Sequence, residues 1–177
     1  MGQRCDGLIG MMFYWTFADE FEEQGVVKPP FYGGFGLVAE DGIPKPPFNA
    51  FKLLHRLGEE RVELNSDSAL LTKKKDGSLV LAIWNYAPPG KPGAPKTVTL
   101  HLNHGRFRHS LIAIVVPGHG DVHSAYVKMG SPPYPTQSQI TELKKAAELP
   151  APEARDLKRG ELTLTFPSYG LAVVEIK

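Results

Sequence analysis

Residues 7–17 read GLIGMMFYWTF, a run with no period-two alternation and no charged side chain. A strand that is apolar at successive positions has no face to give to water. It reads as one buried on both sides, as in a parallel sheet or a barrel. The run therefore predicts a central strand that other elements must cover on both faces. It ends in four carboxylates, Asp19, Glu20, Glu22 and Glu23.

Between Gln24 and Lys45 lie Pro29, Pro30, Gly33, Gly34, Gly36, Gly42 and Pro44, a density that breaks regular structure and predicts a long loop or irregular hairpin. PFNAFKLLHRLG then follows two prolines, places Phe48, Phe51, Leu54 and Leu57 along one helical face, and stops at Gly58. One strand and one helix cannot cover each other's apolar faces, so residues 1–60 read as an incomplete strand-loop-helix unit.

Beyond residue 60 the period changes. Leu79, Leu81 and Ile83 alternate with Val80, Ala82 and Trp84; Val98, Leu100 and Leu102 with threonines and His101; and Leu162, Leu164 and Phe166 with Thr163 and Thr165. These are expected to be half-buried strands. Asp76-Gly77 reads as a hairpin turn and PPGKPGAP, residues 88–95, as a turn-rich connector. Residues 110–116 and 169–176 add a buried and a closing strand. One helix interrupts them, with Thr136 and Gln139 as a capping box, Ile140, Leu143 and Ala147 on one face, and Pro150 as its stop. The expected fold is mainly β, with an antiparallel β-sandwich over residues 61–177 carrying one inserted helix.

Twenty basic side chains against nineteen acidic ones leave a net charge of +1, which argues against nucleic acid or an anionic membrane as partner. No stretch approaches the roughly 18–20 apolar residues of a membrane span, and the start of the chain lacks the small-residue cleavage site of a signal peptide, so a soluble chain is expected. The single Cys5 excludes an internal disulfide framework and reads as a plain thiol.

YWTFADEFEE (residues 14–23), PPFYGGFGLVAEDGIPKPPFNAFKLLHRLG (29–58) and YVKMGSPPYPTQSQI (126–140) together resemble the C-terminal part of glycoside hydrolase family 39, the β-xylosidase-like retaining glycosidases. The likeness is close over the first 60 residues and looser beyond. It implies that residues 1–60 are the last βα unit of a (β/α)₈ barrel, followed by the β-sandwich. It also implies that Trp15, Glu22 and Glu23 contact a sugar. An aromatic face fits the C–H face of a pyranose, and carboxylates accept bonds from its hydroxyls.

The resemblance further implies a reacting pair of carboxyls, an acid/base in an Asn-Glu dipeptide and a nucleophile in a Thr-Glu or similar one, both on earlier barrel strands. This sequence has no Asn-Glu, and its Thr141-Glu142 falls in the capped helix. No catalytic residue is therefore assigned. The expected ligand is a xylo-oligosaccharide, with no cofactor, and no turnover by this chain alone. A rival reading is a non-catalytic carbohydrate-binding sandwich that uses Trp84, Tyr86, Tyr126 and Tyr134. A third is assembly with a separate barrel portion, or self-association, through Met11, Phe13 and Phe51.

Plainer readings compete at each position. Glu22 and Glu23 can form a solvated acidic turn, and Asp19 and Glu20 can cap or bond a loop. His119, Asp121 and His123 in PGHGDVHS match no zinc spacing and are expected to pack in a loop, so no metal is assigned. His101, His104 and His109 are expected on exposed strand faces. Gly33, Gly34 and Gly36 lack the lysine and helix of a phosphate loop and are expected to allow a tight backbone.

Overall fold

The structure, a computed structural model, describes residues 8, 10–20, 25, 29–102 and 107–177. Cys5, Glu22, Glu23 and His104 lie outside the described residues.

The centre is a six-stranded antiparallel sheet. Its strands are β3 (Glu60–Val62), β4 (Ala69–Lys73), β5 (Leu79–Asn85), β7 (His109–Val115), β8 (Glu153–Asp156) and β10 (Gly170–Ile176), in the order β3-β4-β5-β10-β7-β8. β6 (Lys96–His101) pairs with β9 (Glu161–Phe166) in a separate antiparallel sheet, in register from Lys96 opposite Phe166 to His101 opposite Glu161. The alternation read in Leu162, Leu164 and Phe166 is observed, since all three are buried and the residues between them are exposed. They pack on Leu81, Ile83, Ile112, Val174 and Ile176 from one face of the large sheet.

The other face carries Val80, Ala82, Ala113, Val115 and Val173, which pack against Leu53 of α1 (Pro46–Leu54). With cover on both sides, β5 is buried at successive residues and is not the half-buried strand its alternation predicts. The helix also turns a different face inward. Asn49 and Leu53 are buried, Leu54 and Leu57 pack beside them, and Phe51 is 45% exposed. Asn49 is tolerated there because its amide donates to Gly120 O at 2.9 Å and Ala147 O at 2.7 Å, which satisfies a polar group that would otherwise be penalised. The helix ends at Leu54, earlier than Gly58. That glycine instead lies where a Cβ would collide with the Lys73 backbone of β4.

Two helices, not one, interrupt the strands. α3 (Gln137–Ala146) has the predicted capping box: Thr136 Oγ1 accepts from the Gln139 N–H at 3.3 Å, and Gln139 Oε1 accepts from the Thr136 N–H at 2.8 Å. α2 (Val122–Lys128) occupies sequence read as loop. Its N-cap is Asp121, whose carboxylate accepts from the His123 N–H at 3.0 Å. These helices close a smaller core in which Val122, Tyr126, Ile140 and Leu143 surround Ile43. Ile43 belongs to the hairpin of β1 (Val38–Ala39) and β2 (Ile43–Pro44), the irregular hairpin expected in the proline- and glycine-rich region.

The strand predicted from residues 7–17 is not formed among the described residues. Residues 11–16 carry no regular secondary structure, and Leu8 and Phe13 are 84% and 83% exposed. A strand exists by its neighbours' hydrogen bonds, and here the neighbour begins only at Leu37. The Leu37 and Val38 amides donate to Phe17 O at 2.9 Å, and the Asp19 amide donates to Val38 O at 2.9 Å. The resulting bridge, Ala18 with Val38, is parallel. No helix among the described residues is long and apolar enough to cross a membrane.

Candidate functional site

The carboxylates that follow the aromatic run separate in role. Asp19 is buried, and both of its oxygens are engaged: Oδ2 accepts from Lys45 Nζ at 2.7 Å and Oδ1 from the Gly36 N–H at 2.5 Å. Lys45 Nζ also donates to Gly34 O at 2.8 Å. The pair ties the aromatic segment to the loop before α1, the loop-bonding role that was one reading of Asp19. Glu20 is exposed. The Tyr32 hydroxyl donates to Asp19 O at 3.3 Å; burial, then the Asp19 and Glu40 carboxylates, push this phenol up, so it is neutral and able to donate near pH 7.

This anchoring explains the FYGGFG loop. A Cβ on Gly34 would lie 2.5 Å from Asp19 Oδ1, and one on Gly36 would lie 2.5 Å from the Ala18 carbonyl carbon, so the ion pair forms only where no side chain intervenes. The expectation of a tight backbone is met at Gly34 and Gly36, whereas Gly33 has open space where a Cβ would stand and differs by its φ of 100°.

On this anchor the aromatic residues take separate directions. Tyr14 packs edge-on against Phe51 of α1, with ring centroids 5.3 Å apart, and its hydroxyl donates to Phe35 O at 2.9 Å. Trp15 stacks on Phe35 at 6.0 Å and 30° and remains 69% exposed. A broad indole face held by a neighbouring ring, beside a glycine-rich loop, can take the C–H face of a sugar ring. Of the three sugar-contacting residues expected from the resemblance, Trp15 is placed on this surface, while Glu22 and Glu23 lie outside the described residues. Phe35 and Lys45 went unrecognised in the sequence as parts of this surface. Lys45 is 26 positions from its carboxylate, and nothing local in PKP points to it.

The surface aromatics of the rival reading divide. Tyr86 and Tyr134 are exposed and Trp84 is half-buried. Tyr126 is buried, donates to Pro132 O at 2.9 Å, and is removed from any binding surface. His101 and His109 lie on exposed strand positions as expected, pairing with Glu161 at 3.1 Å and Asp156 at 2.7 Å. Among the described residues no group of three or more His, Cys, Asp and Glu is placed to hold a metal ion. Thr141 and Glu142 lie within α3.

Comparison with known proteins places this arrangement. Residues 3–162 match the model of glycosyl hydrolases family 39. A β-xylosidase of Geobacillus stearothermophilus is 33% identical over 168 residues, which cover 93% of this chain and 33% of that protein. A β-xylosidase of Caldicellulosiruptor saccharolyticus is 33% identical over 147 residues, covering 80% and 30%. The crystal structure of a monomeric β-xylosidase from Caulobacter crescentus CB15 superposes with a TM-score of 0.83 at 25% identity, over 99% of this chain and 39% of that one. The chain thus spans about a third of the length of the curated relatives it matches. By its family match and its shared fold, the chain belongs to glycosyl hydrolases family 39.

Proposed function

We propose that residues 1–60 form the last strand-loop-helix unit of a (β/α)₈ barrel, that residues 61–177 form the β-sandwich that follows it, and that together they are the C-terminal part of a β-xylosidase-like retaining glycosidase acting on xylo-oligosaccharides. The observation that carries this reading is the state of the aromatic segment. Met11, Phe13, Trp15 and Phe17 are all exposed, yet the sequence has the uninterrupted apolar character of a strand buried on both faces, and the bridge that follows it, Ala18 with Val38, is parallel. Flanking barrel strands would supply the missing cover.

In this reading Trp15 stacks on the sugar at the C-terminal end of the eighth strand, where barrels of this type place their substrate contacts. Glu22 and Glu23 accept bonds from its hydroxyls. Retention needs two carboxyls about 5–5.5 Å apart, one protonating the leaving oxygen and one attacking the anomeric carbon. Asp19 is spent on Lys45, and the family resemblance puts both roles on earlier barrel strands, so this reading draws them from polypeptide outside these 177 residues.

The test is hydrolysis of an aryl β-xyloside by the purified chain. No release above the uncatalysed rate is expected. Release that disappears on Glu22→Gln or Glu23→Gln would overturn the proposal, because it would place the reacting groups within this segment.

A further inference from the structure

A cleft of about 420 Å³ lies where the 31–36 loop and the start of α1 meet the end of β7 and the N-cap of α2. That volume falls in the roughly 300–1,000 Å³ range of small-molecule sites, which concentrate at junctions between structural units. Its aromatic walls are Tyr14, Phe31 and Tyr169, and Trp15 is not among its lining residues.

Two of these rings are held rigidly on unusual backbone. Phe31 and Tyr169 have φ of 62° and 60°, a region bulky residues seldom adopt. Phe31 is held by the rings of Tyr126 and His123, with centroids 5.0 and 5.9 Å away. The Tyr169 hydroxyl is held between Pro88 O at 3.0 Å and Lys91 O at 2.7 Å. The walls are therefore set before any ligand arrives.

Among the described residues, three polar groups line the same cleft with hydrogen-bonding capacity left over. The Lys45 ammonium has three donors and uses two, on Asp19 and Gly34. The Asp121 carboxylate accepts from the Gly118 N–H, the His123 N–H and the Ser124 hydroxyl, one fewer than the roughly four bonds it can take. The His123 imidazole meets the edge of Phe31 and hydrogen-bonds to no described residue.

The charge of Lys45 is neutralised by Asp19, so the cleft has little to offer an anion. A wholly apolar occupant would cover the third Lys45 N–H and the remaining acceptor position of Asp121 without pairing either. A neutral ring with hydroxyls, which both donate and accept and whose C–H faces pack on aromatics, satisfies every group present. We propose that this cleft is a second, non-catalytic binding site for a neutral pyranoside, separate from the Trp15 surface. It requires no barrel partner and stands whether or not the chain contributes to hydrolysis.

The test is titration of the purified chain with methyl β-xylopyranoside and xylobiose, followed by amide chemical shifts, with inorganic phosphate and cyclohexanol as controls. Saturable shifts are expected at Asp121, His123 and Tyr169. His123→Ala should weaken binding about two- to tenfold, the effect of one hydrogen bond, and His123→Gln, which keeps a donor and an acceptor, should restore part of it. The absence of saturable binding would overturn the inference, as would an unchanged affinity in His123→Ala or equal binding of phosphate or cyclohexanol. If Trp15→Ala abolishes the binding and His123→Ala does not, the sugar sits on the Trp15 surface and the inference fails.

Discussion

Replacing Lys45 by Met removes one half of a buried ion pair while keeping much of the side chain's apolar bulk. Asp19, whose side chain is 1% exposed, would keep the Gly36 N–H but lose the ammonium 2.7 Å from Oδ2. An uncompensated buried charge of this kind is worth about 3–5 kcal/mol of destabilisation, against about 0–1 kcal/mol for a pair at the surface. The loss should appear first where the pair acts, in the joint between residues 16–19 and 34–38, as local opening. The assay is native-state hydrogen exchange at the Asp19, Gly36, Leu37 and Val38 amides. Exchange should accelerate by about a hundred- to several-thousand-fold, since each 1.4 kcal/mol is a factor of ten. Asp19→Asn combined with Lys45→Met removes both charges, and the joint should recover much of the protection lost in Lys45→Met alone. Acceleration of less than about tenfold in Lys45→Met, or a double variant whose cost equals the sum of the singles, would refute the argument that burial makes this pair matter.

Asn49→Leu should destabilise by about 1–3 kcal/mol for each carbonyl, Gly120 O and Ala147 O, left without its donor, read as a lower urea midpoint. Gly36→Ala should leave the six-stranded sheet intact, by far-UV circular dichroism, yet abolish exchange protection at Asp19. The new Cβ would stand 2.5 Å from the Ala18 carbonyl carbon and 2.6 Å from the Asp19 nitrogen. Asp76 is held below its ordinary carboxyl value of 3.8, first by the Ser78 hydroxyl at 2.5 Å and then by the Ser78 N–H at 2.9 Å. Because the folded value is depressed, the turn's contribution is present above the unfolded value and is lost as pH falls through the lower folded one. Ser78→Ala should therefore move the Asp76 titration upward in carboxyl-detected NMR and shrink the contribution, so that its loss still begins at the unfolded value but is complete at a higher pH.

Elements whose stability is set by near neighbours were legible in the sequence. The α3 capping box is a contact across three positions, and β9 shows its buried face in a two-residue period, so both could be read residue by residue. The face of α1 could not. Asn49 turns inward only because carbonyls 71 and 98 positions away accept its amide, which frees Phe51 to sit outward beneath Tyr14. The same holds for β5, where an alternating pattern was overridden by packing from α1 on one side and β9 on the other. The Asp121 cap of α2 was within local reach, since a carboxylate two residues before the N–H it accepts is a helix-start pattern, but the flanking glycines and histidines read as loop.

By itself, then, the sequence determined the mainly β antiparallel character beyond residue 60, the α3 cap and the family resemblance carried by Trp15 and the FYGGFG and IPKP segments, because periods, caps and motifs are written along the chain. Only the tertiary structure decided that Asp19 spends its charge on Lys45, that Phe35 supports Trp15, and that residues 11–16 form no regular strand. A buried charge finds its partner, and a strand its hydrogen bonds, through proximity in space, and no local pattern encodes that.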